Sequence, residues 1–429
     1  MNRNETYDVV VVGAGLSGLT AAKVLNEANI SVLLIDAADA IGGRVKTSVV
    51  EGFKLDHGFQ VLLTAYPDIQ KHITLKNLNM ASFFSGASIW TGKKFETVAD
   101  PLKHPLEGLT GAFNTIGTLS DKLKILSLKY AAAGYLKNDA YWHHTETSTV
   151  QFLRQYGFSE QMISKFFQPF FSGIFLEPDL QTSSRLFAFL YACFAAGSTA
   201  LPEGGMQAIP EALAAQLTQT TIMLNTMVTA VEENRVKVRR AETPADTEGD
   251  WVSAKAVVIA TDANTAESLL PETVDRQPFH NVSCYYFSSA TPPPFGKKLV
   301  LNTVPGKRIT TLCCPSAVQP SYSQNGQFLI SVSSLAPHHM PETLQGIESE
   351  LREWFGRTVD QWKFLRHYSI PRALPIKTMP FNSLSKKPVK THFNTVYLAG
   401  DYLDTPSING AVSSGEKAAE AVKQALNFS

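Results

Sequence analysis

Tyr7-Asp8-Val9-Val10-Val11-Val12-Gly13-Ala14-Gly15-Leu16-Ser17-Gly18-Leu19-Thr20-Ala21-Ala22 reads as a β-branched strand, a glycine turn and the opening of a helix, because Leu19, Ala22 and Leu25 recur at helical spacing. A second apolar run, Ile30 to Ile35, would lie parallel to the first across that helix, which is the right-handed βαβ unit. It closes on Asp36, 23 residues after Gly13. In this context G-x-G-x-x-G marks a dinucleotide site. Gly13 permits the tight turn, Gly15 lets the backbone approach a pyrophosphate and Gly18 lets helix and strand pack closely. With Ala14, Leu16 and Ser17 they are expected to cradle the diphosphate at the helix N-terminus. Asp36, followed by Ala37, is expected to accept hydrogen bonds from an adenosine ribose, and its charge disfavours a 2′-phosphate. The alternative is a glycine turn that serves packing alone.

Working outward, Ala37-Ala38-Asp39-Ala40-Ile41-Gly42-Gly43-Arg44 adds a second glycine turn and a cation just past the ribose-binding acid. Gly43 lets the backbone pass close to a ligand, and Arg44 offers planar donors to a diphosphate or a ribityl chain. An exposed arginine after a turn is the plainer reading. Met223 to Arg240 and Trp251 to Ala260 are β-rich and flank a turn-rich loop, as in a long-looped hairpin. Leu119 to Ala200 has helical periodicity, with Leu123, Leu126, Tyr130 and Ala133 on one face and Lys122, Lys129 and Lys137 elsewhere. Ten of the 25 phenylalanines fall between Phe152 and Phe194, which concentrates either a core or an apolar pocket there. Residues 270–389 hold strand-like pieces and many prolines before Thr395 to Gly400 returns to buried-strand character.

Val9 to Arg44, together with Leu55-Asp56-His57-Gly58-Phe59-Gln60, Leu398-Ala399-Gly400-Asp401-Tyr402 and Ile408-Asn409-Gly410-Ala411-Val412-Ser413-Ser414-Gly415, resembles the FAD-dependent superfamily of flavin amine oxidases, protoporphyrinogen oxidases and carotenoid desaturases. Pro202 to Met206 and Tyr368 to Pro375 look most like the protoporphyrinogen oxidase and desaturase branch. The resemblance implies an α/β fold in which a Rossmann-like, glutathione-reductase-like FAD domain, residues 1–75, 200–268 and 390–429, interleaves with an α+β substrate domain, residues 76–199 and 269–389. It implies that Gly400 and Asp401 hold the ribityl chain, and that the helix from Ile408 aims its N-terminus at the pyrimidine end of the flavin, where it stabilises developing charge. It also implies that the Val228 backbone meets adenine, that His57, Phe59 and Gln60 lie beside the flavin ring, and that Gly58 belongs to the cofactor site. His57, with a near-neutral reference pKa, and Gln60 are the weak candidates for a catalytic role.

Members with covalently bound flavin carry a cysteine near the C-terminal motif. Cys193, Cys284, Cys313 and Cys314 all lie elsewhere, so non-covalent FAD is expected. Polyamine- and monoamine-type members place a lysine near flavin N5; Lys297, Lys298 and Lys377 are available without a motif to choose one.

Composition bounds the remaining options. Lys+Arg and Asp+Glu both count 38 in 429 residues, so no net field recruits nucleic acid. No cysteine pair or His spacing suggests a metal, and His143-His144 and His338-His339 read as surface or loop residues. No run approaches the ~18 apolar residues of a membrane span, nor is there a signal-peptide pattern, so a cytoplasmic protein is expected. The lysine-flanked apolar face in the helical region suggests either packing within the substrate domain or peripheral membrane contact. The expected activity is two-electron oxidation or desaturation of a small hydrophobic substrate by hydride transfer to FAD, with the electron acceptor unassigned. The alternatives are an amine oxidase that produces hydrogen peroxide, and a non-catalytic FAD-bound module. Residues Phe166 to Phe175 and Leu186 to Phe194 are expected to face the open side of the flavin.

Overall fold

The computed structural model describes residues 7–100, 103–104, 115–136, 145–240, 242–244, 247–335, 343–377, 379, 391 and 393–426. Both His-His pairs, Lys137, and Ala245 and Asp246 of the Thr243–Asp250 loop lie outside them. β1 (Tyr7–Val12) leads through the glycine turn into α1 (Leu16–Glu27) and back to β2 (Val32–Ile35), parallel to β1 with Val9 opposite Val32. A two-stranded ribbon, β3 (Thr47–Val50) and β4 (Phe53–Asp56), follows, then β5 (Leu62–Leu63), α2 (Pro67–His72) and β6 (Ala81–Ser82). Next come β7 (Gly86–Trp90), β8 (Phe95–Ala99) and the helices α3 (Leu119–Tyr135), α4 (Thr149–Tyr156), α5 (Gln168–Phe175) and α6 (Ser184–Ala196). The chain returns through β9 (Thr199–Leu201), α7 (Ala208–Ala214), β10 (Thr220–Met223), β11 (Thr226–Glu232), β12 (Arg235–Arg240) and β13 (Asp250–Ile259) to α8 (Ala263–Leu269). β14 (Phe279–Ser289), β15 (Leu299–Asn302), β16 (Ile309–Cys313), β17 (Phe328–Ser334), α9 (Leu344–Phe355) and β18 (Lys363–Pro375) precede β19 (Val396–Leu398) and α10 (Ile408–Ala425).

The first sheet runs β10-β2-β1-β13-β12-β11, with β19 also paired to β13. β1, β2, β10, β19 and the C-terminal half of β13 are parallel, whereas the N-terminal half of β13 pairs antiparallel with β12. Val9 to Ile35 and Ala256 to Leu398 supply strands buried on both faces, which is why they read as continuous apolar runs without alternation. Small residues let α1 and α10 touch: a Cβ at Gly415 would fall 2.2 Å from the Ser17 carbonyl oxygen.

The second sheet runs β18-β14-β17-β16-β15-β7-β8 and is antiparallel except for β15 on β7. Here β14 alternates: Tyr285 and Phe287 join the α9 side with Ile347, Leu351 and Trp354, while Cys284 and Tyr286 join the large core shared with the helices. In that core Phe167, Phe171 and Phe187 are fully buried, with Phe187 4.7 Å from Phe171 and 6.1 Å from Phe167, centroid to centroid.

The apolar face read for α3 does not pack within the molecule. Leu128 and Ala132 are the buried side, while Leu123, Leu126 and Tyr130 point outward. The helix is fixed in that orientation at its N-terminus, where the buried Asp121 carboxylate accepts hydrogen bonds from Thr118 and Ser159, amide and hydroxyl of each. Burial works against that charge, but these four donors hold Asp121 down to about 2.

Candidate functional site

One cavity of about 810 Å³ runs between the parallel sheet and the helical region. At one end the glycine turn closes it. Gly13 has φ +103°, and a Cβ there would meet the Ala260 carbonyl oxygen at 2.7 Å. At Gly18 a Cβ would sit 1.8 Å from the Gly13 oxygen, so that glycine is demanded by packing. Gly15 differs, since a Cβ there meets nothing within 4 Å and would stand in the cavity. The Asp36 carboxylate accepts from the Ala14 amide at 2.6 Å and the Ala38 amide at 2.8 Å, which ties the two loops together. Gly42 N–H donates to the Ala14 oxygen at 2.8 Å and closes the second turn against the first.

Gly13, Gly15, Leu16, Ser17, Asp36, Ala37, Gly43, Arg44, Gly58, Phe59, Gln60, Val228, Gly400, Asp401 and Ile408 all line this cavity, as does His57. Ala14 and Gly18 do not. The Ala14 amide is committed to Asp36, and Gly18 lies behind the turn against Gly13. Sequence reading missed the stretch Ser369 to Leu374 of edge strand β18, which forms one wall, and Thr226, Met227, Asp262 and Thr265 around the nucleotide end. Tyr368 to Pro375 carries the family-like motif, but nothing in a half-exposed edge strand says that it faces a ligand.

Arg44 bridges three parts of the chain. Its Nη2 lies 2.6 Å from Asp401 Oδ1, and its Nη1 donates to the Ala373 carbonyl at 3.2 Å. Burial disfavours the guanidinium charge, but Asp401 more than offsets this and raises the Arg44 pKa. The reading of Arg44 as an exposed post-turn residue is thereby set aside. Asp401 is not the cap of α10; Ser407 is, its hydroxyl accepting from the Gly410 amide at 3.0 Å. Pro406, Ser407, Ile408 and Ala411 line the cavity, so the 18-residue α10 presents its N-terminus to it.

The family model of flavin containing amine oxidoreductases matches residues 16–423. The chain belongs to the flavin-containing amine oxidoreductase family. Among curated relatives it is 29% identical over 243 residues to putrescine oxidase from Kocuria rosea, covering 52% of this chain and 49% of that one. It is 44% identical over 62 residues to 4,4′-diapolycopene oxygenase from Methylomonas sp, 14% of this chain and 12% of that one. The chain thus spans about half or less of these relatives. A solved structure of a proposed protoporphyrinogen oxidase from Exiguobacterium sp. 255-15 superposes with TM-score 0.70 at 15% identity, over 98% of this chain and 99% of that one.

The flavoprotein's residues fit FAD. Gln60 donates through Nε2 to the carbonyls of Arg44 and His57, at 2.8 and 3.2 Å, while its Oε1 is buried with no partner on the cavity wall. An orphaned acceptor there suits an N–H of the flavin ring. The open side of Gly15, the uncapped N-terminus of α1 and Arg44 suit the diphosphate. None of the four buried cysteines lines the cavity, consistent with FAD held without a covalent bond.

His57 is fixed by two neighbours. Its ring stacks on Tyr368 with centroids 4.3 Å apart, and Nε2 contacts Ser48 Oγ at 2.8 Å. Burial lowers its pKa, aided by the charges of Lys46 and Arg366, so the ring is neutral at pH 7. Beside it, Asp56 is buried; its carboxylate accepts from Thr47 Oγ1 at 2.5 Å, the Met206 amide at 3.0 Å and the Tyr322 hydroxyl at 2.8 Å. Tyr286 donates to the Asp56 carbonyl, so two tyrosines of the second-sheet region fasten the flavin wall. Burial pushes Asp56 up to about 6 in spite of these donors.

The far half of the cavity is apolar. Leu63, Tyr66, Phe175, Leu186, Leu190 and Phe194 line it, the last three one stripe of α6. Phe166, Phe167, Phe170 and Phe171, expected in the pocket, are not cavity residues; Phe170 packs on Phe171 and Phe194 with centroids 5.3 Å away. The charged side chains among the described lining residues, Asp36, Arg44, Asp262, Arg372 and Asp401, all stand with the glycine turns, the N-terminus of α8 and the C-terminal motif. Lys297, Lys298 and Lys377 are not lining residues: Lys377 donates to the Tyr402 carbonyl, and Lys298 lies over the Phe84 ring.

Proposed function

We propose that this flavoprotein oxidises an uncharged, hydrophobic molecule of polyisoprenoid or tetrapyrrole-like character. The observation that carries this reading is the far half of the cavity, where Leu63, Tyr66, Phe175, Leu186, Leu190 and Phe194 converge with no carboxylate or lysine among them. FAD, when bound, supplies a two-electron acceptor for hydride. The chain's own residues do the positioning: α6 and the end of α5 exclude water and set the substrate against the Gly58–Gln60 wall, where a donor carbon must come within about 3–3.5 Å of its acceptor. Shape then carries much of the rate. His57, neutral and bonded to Ser48, orients that wall.

The match to putrescine oxidase favours a second reading, oxidation of an amine with release of hydrogen peroxide. An ammonium substrate needs a carboxylate or an electron-rich cage to offset its desolvation, and Tyr66 is the one tyrosine among the described lining residues. Anaerobic mixing of the FAD-loaded protein with polyisoprenoids, a porphyrinogen and a series of amines separates the readings. Flavin bleaching by a member of the first two groups is expected; bleaching by amines alone overturns the proposal, and bleaching by none supports the non-catalytic module.

A further inference from the structure

Tyr286 and Tyr322 each donate a buried hydroxyl to Asp56 at 2.8 Å. Tyr66 has no such outlet. Its side chain lines the apolar half of the cavity, is only 6% exposed and lies nearly parallel to the Phe189 ring with centroids 6.1 Å apart, yet its hydroxyl has no hydrogen-bond partner among the described residues. The backbone fixes the residue in place. Its amide donates to the Leu63 carbonyl at 3.1 Å, and its carbonyl accepts from the Gln70 amide at 3.2 Å where α2 begins. A phenylalanine would fill the same space without burying a polar group, so the hydroxyl calls for a partner from outside the protein. Burial, with a further push from Cys193, raises the Tyr66 pKa above the ordinary 10, so the phenol stays protonated and is able to donate. Thr310 and Ser333, from β16 and β17, also bring hydroxyls to the cavity, and that of Thr310 accepts from the Leu335 amide at 3.2 Å.

We infer that the Tyr66 hydroxyl is the specificity handle of the substrate half, donating a hydrogen bond to a neutral oxygen, as in a ketone or an alcohol, on an otherwise apolar substrate. This rests on the hydrophobic-substrate reading and narrows it to an oxygenated polyisoprenoid. The hydrocarbon body would lie along Leu186, Leu190 and Phe194 of α6. A substrate that fills this half displaces water from the phenol, so it must bring an acceptor of its own or leave the donor unsatisfied. The acceptor is a neutral one. A carboxylate or an ammonium would be desolvated among Leu63, Phe175, Leu186, Leu190 and Phe194 with a single phenol to offset its charge. A bare hydrocarbon fits the same walls but strands the Tyr66 donor, which is the usual basis on which a site discriminates against an analogue that lacks the oxygen.

Calorimetric titration of the FAD-loaded protein with a ten-carbon isoprenoid ketone, with the hydrocarbon of the same skeleton and with putrescine tests this, in wild type, Tyr66→Phe and Ser333→Ala. Wild type should bind the ketone about tenfold more tightly than the hydrocarbon. Tyr66→Phe should abolish that preference by weakening the ketone about tenfold while leaving the hydrocarbon within about twofold of wild type. Ser333→Ala should keep the preference. Tyr66→Phe removes one oxygen atom and no volume from the wall, and the comparison of ketone with hydrocarbon in wild type needs no variant at all. Equal binding of the two in wild type overturns the handle and leaves the hydrophobic-substrate reading standing. So does a preference that survives in Tyr66→Phe or is lost only in Ser333→Ala. Binding of putrescine with neither isoprenoid bound overturns the substrate reading, and the handle with it.

Discussion

Gly15 and Asp36 carry the nucleotide end in different ways. The missing side chain at Gly15 is open cavity, so Gly15→Val should fold normally and purify without FAD, read from the flavin-to-protein absorbance ratio and circular dichroism; stoichiometric FAD would displace the ligand from this site. Asp36→Ala removes both a ribose acceptor and the tie between the two loops, and should weaken FAD by about 1–3 kcal/mol in an equilibrium titration. Asp56 makes a pH prediction. Its folded pKa, about 6, lies above the ordinary 3.8, so the native state holds the proton more tightly than the unfolded chain. Its contribution to stability is full below about pH 4 and is lost as pH rises through about 6, on the order of 3 kcal/mol in all. Asp56→Asn, which keeps acceptors for Thr47 and Met206, should remove that slope and melt above wild type near pH 8. Identical melting profiles would show that Asp56 is ionised throughout. The glycines and Asp36 were legible because their chemistry depends on residue type and spacing. The Asp56 network was not, since Thr47, Met206 and Tyr322 are brought together only by the fold.

Helices α5 and α6 show what periodicity leaves open at the scale of an element. An apolar helix presents aromatic side chains on several faces, and sequence does not tell which face meets a core and which meets a cavity. In α5 the phenylalanines Phe170 and Phe171 turn to the aromatic core, while Gly173 to Phe175 reach the cavity; in α6 the stripe Leu186, Leu190, Phe194 does so. Phe170→Asp should therefore yield insoluble or unfolded protein, because it places a charge in the packed core. Phe194→Asp should give folded, FAD-loaded protein with impaired flavin reduction. Soluble, FAD-replete Phe170→Asp would reverse the assignment of the two faces. α3 makes the same point from outside: Leu123, Leu126 and Tyr130 were correctly placed on one face, yet the Thr118–Asp121–Ser159 bonds turn that face to solvent. Asp121→Ala should cost about 1–3 kcal/mol in denaturant unfolding by removing that anchor, and an unchanged midpoint would deny Asp121 the role.

Across the whole molecule, the parallel strands β1, β2, β10, β19 and the C-terminal half of β13 meet in one layer, and the C-terminal ends of these strands deliver the glycine turns, Asp36 and the Gly400-Asp401 motif to a single cavity. Much of that assembly was readable from strand–turn–helix patterns and from the family resemblance. The β18 wall was not, because its contribution comes from backbone and aliphatic atoms of an edge strand. The central claim is that the cavity joins a flavin site to an apolar, uncharged substrate site. The rate of anaerobic flavin reduction by a hydrophobic donor and by putrescine, in wild type and in Leu190→Asp, tests it most directly. The account predicts that the hydrophobic donor reduces wild-type flavin faster than putrescine does, and that Leu190→Asp, still folded and FAD-loaded, slows the hydrophobic donor by about a hundredfold. Faster reduction by putrescine, or an unchanged rate in Leu190→Asp, would contradict it.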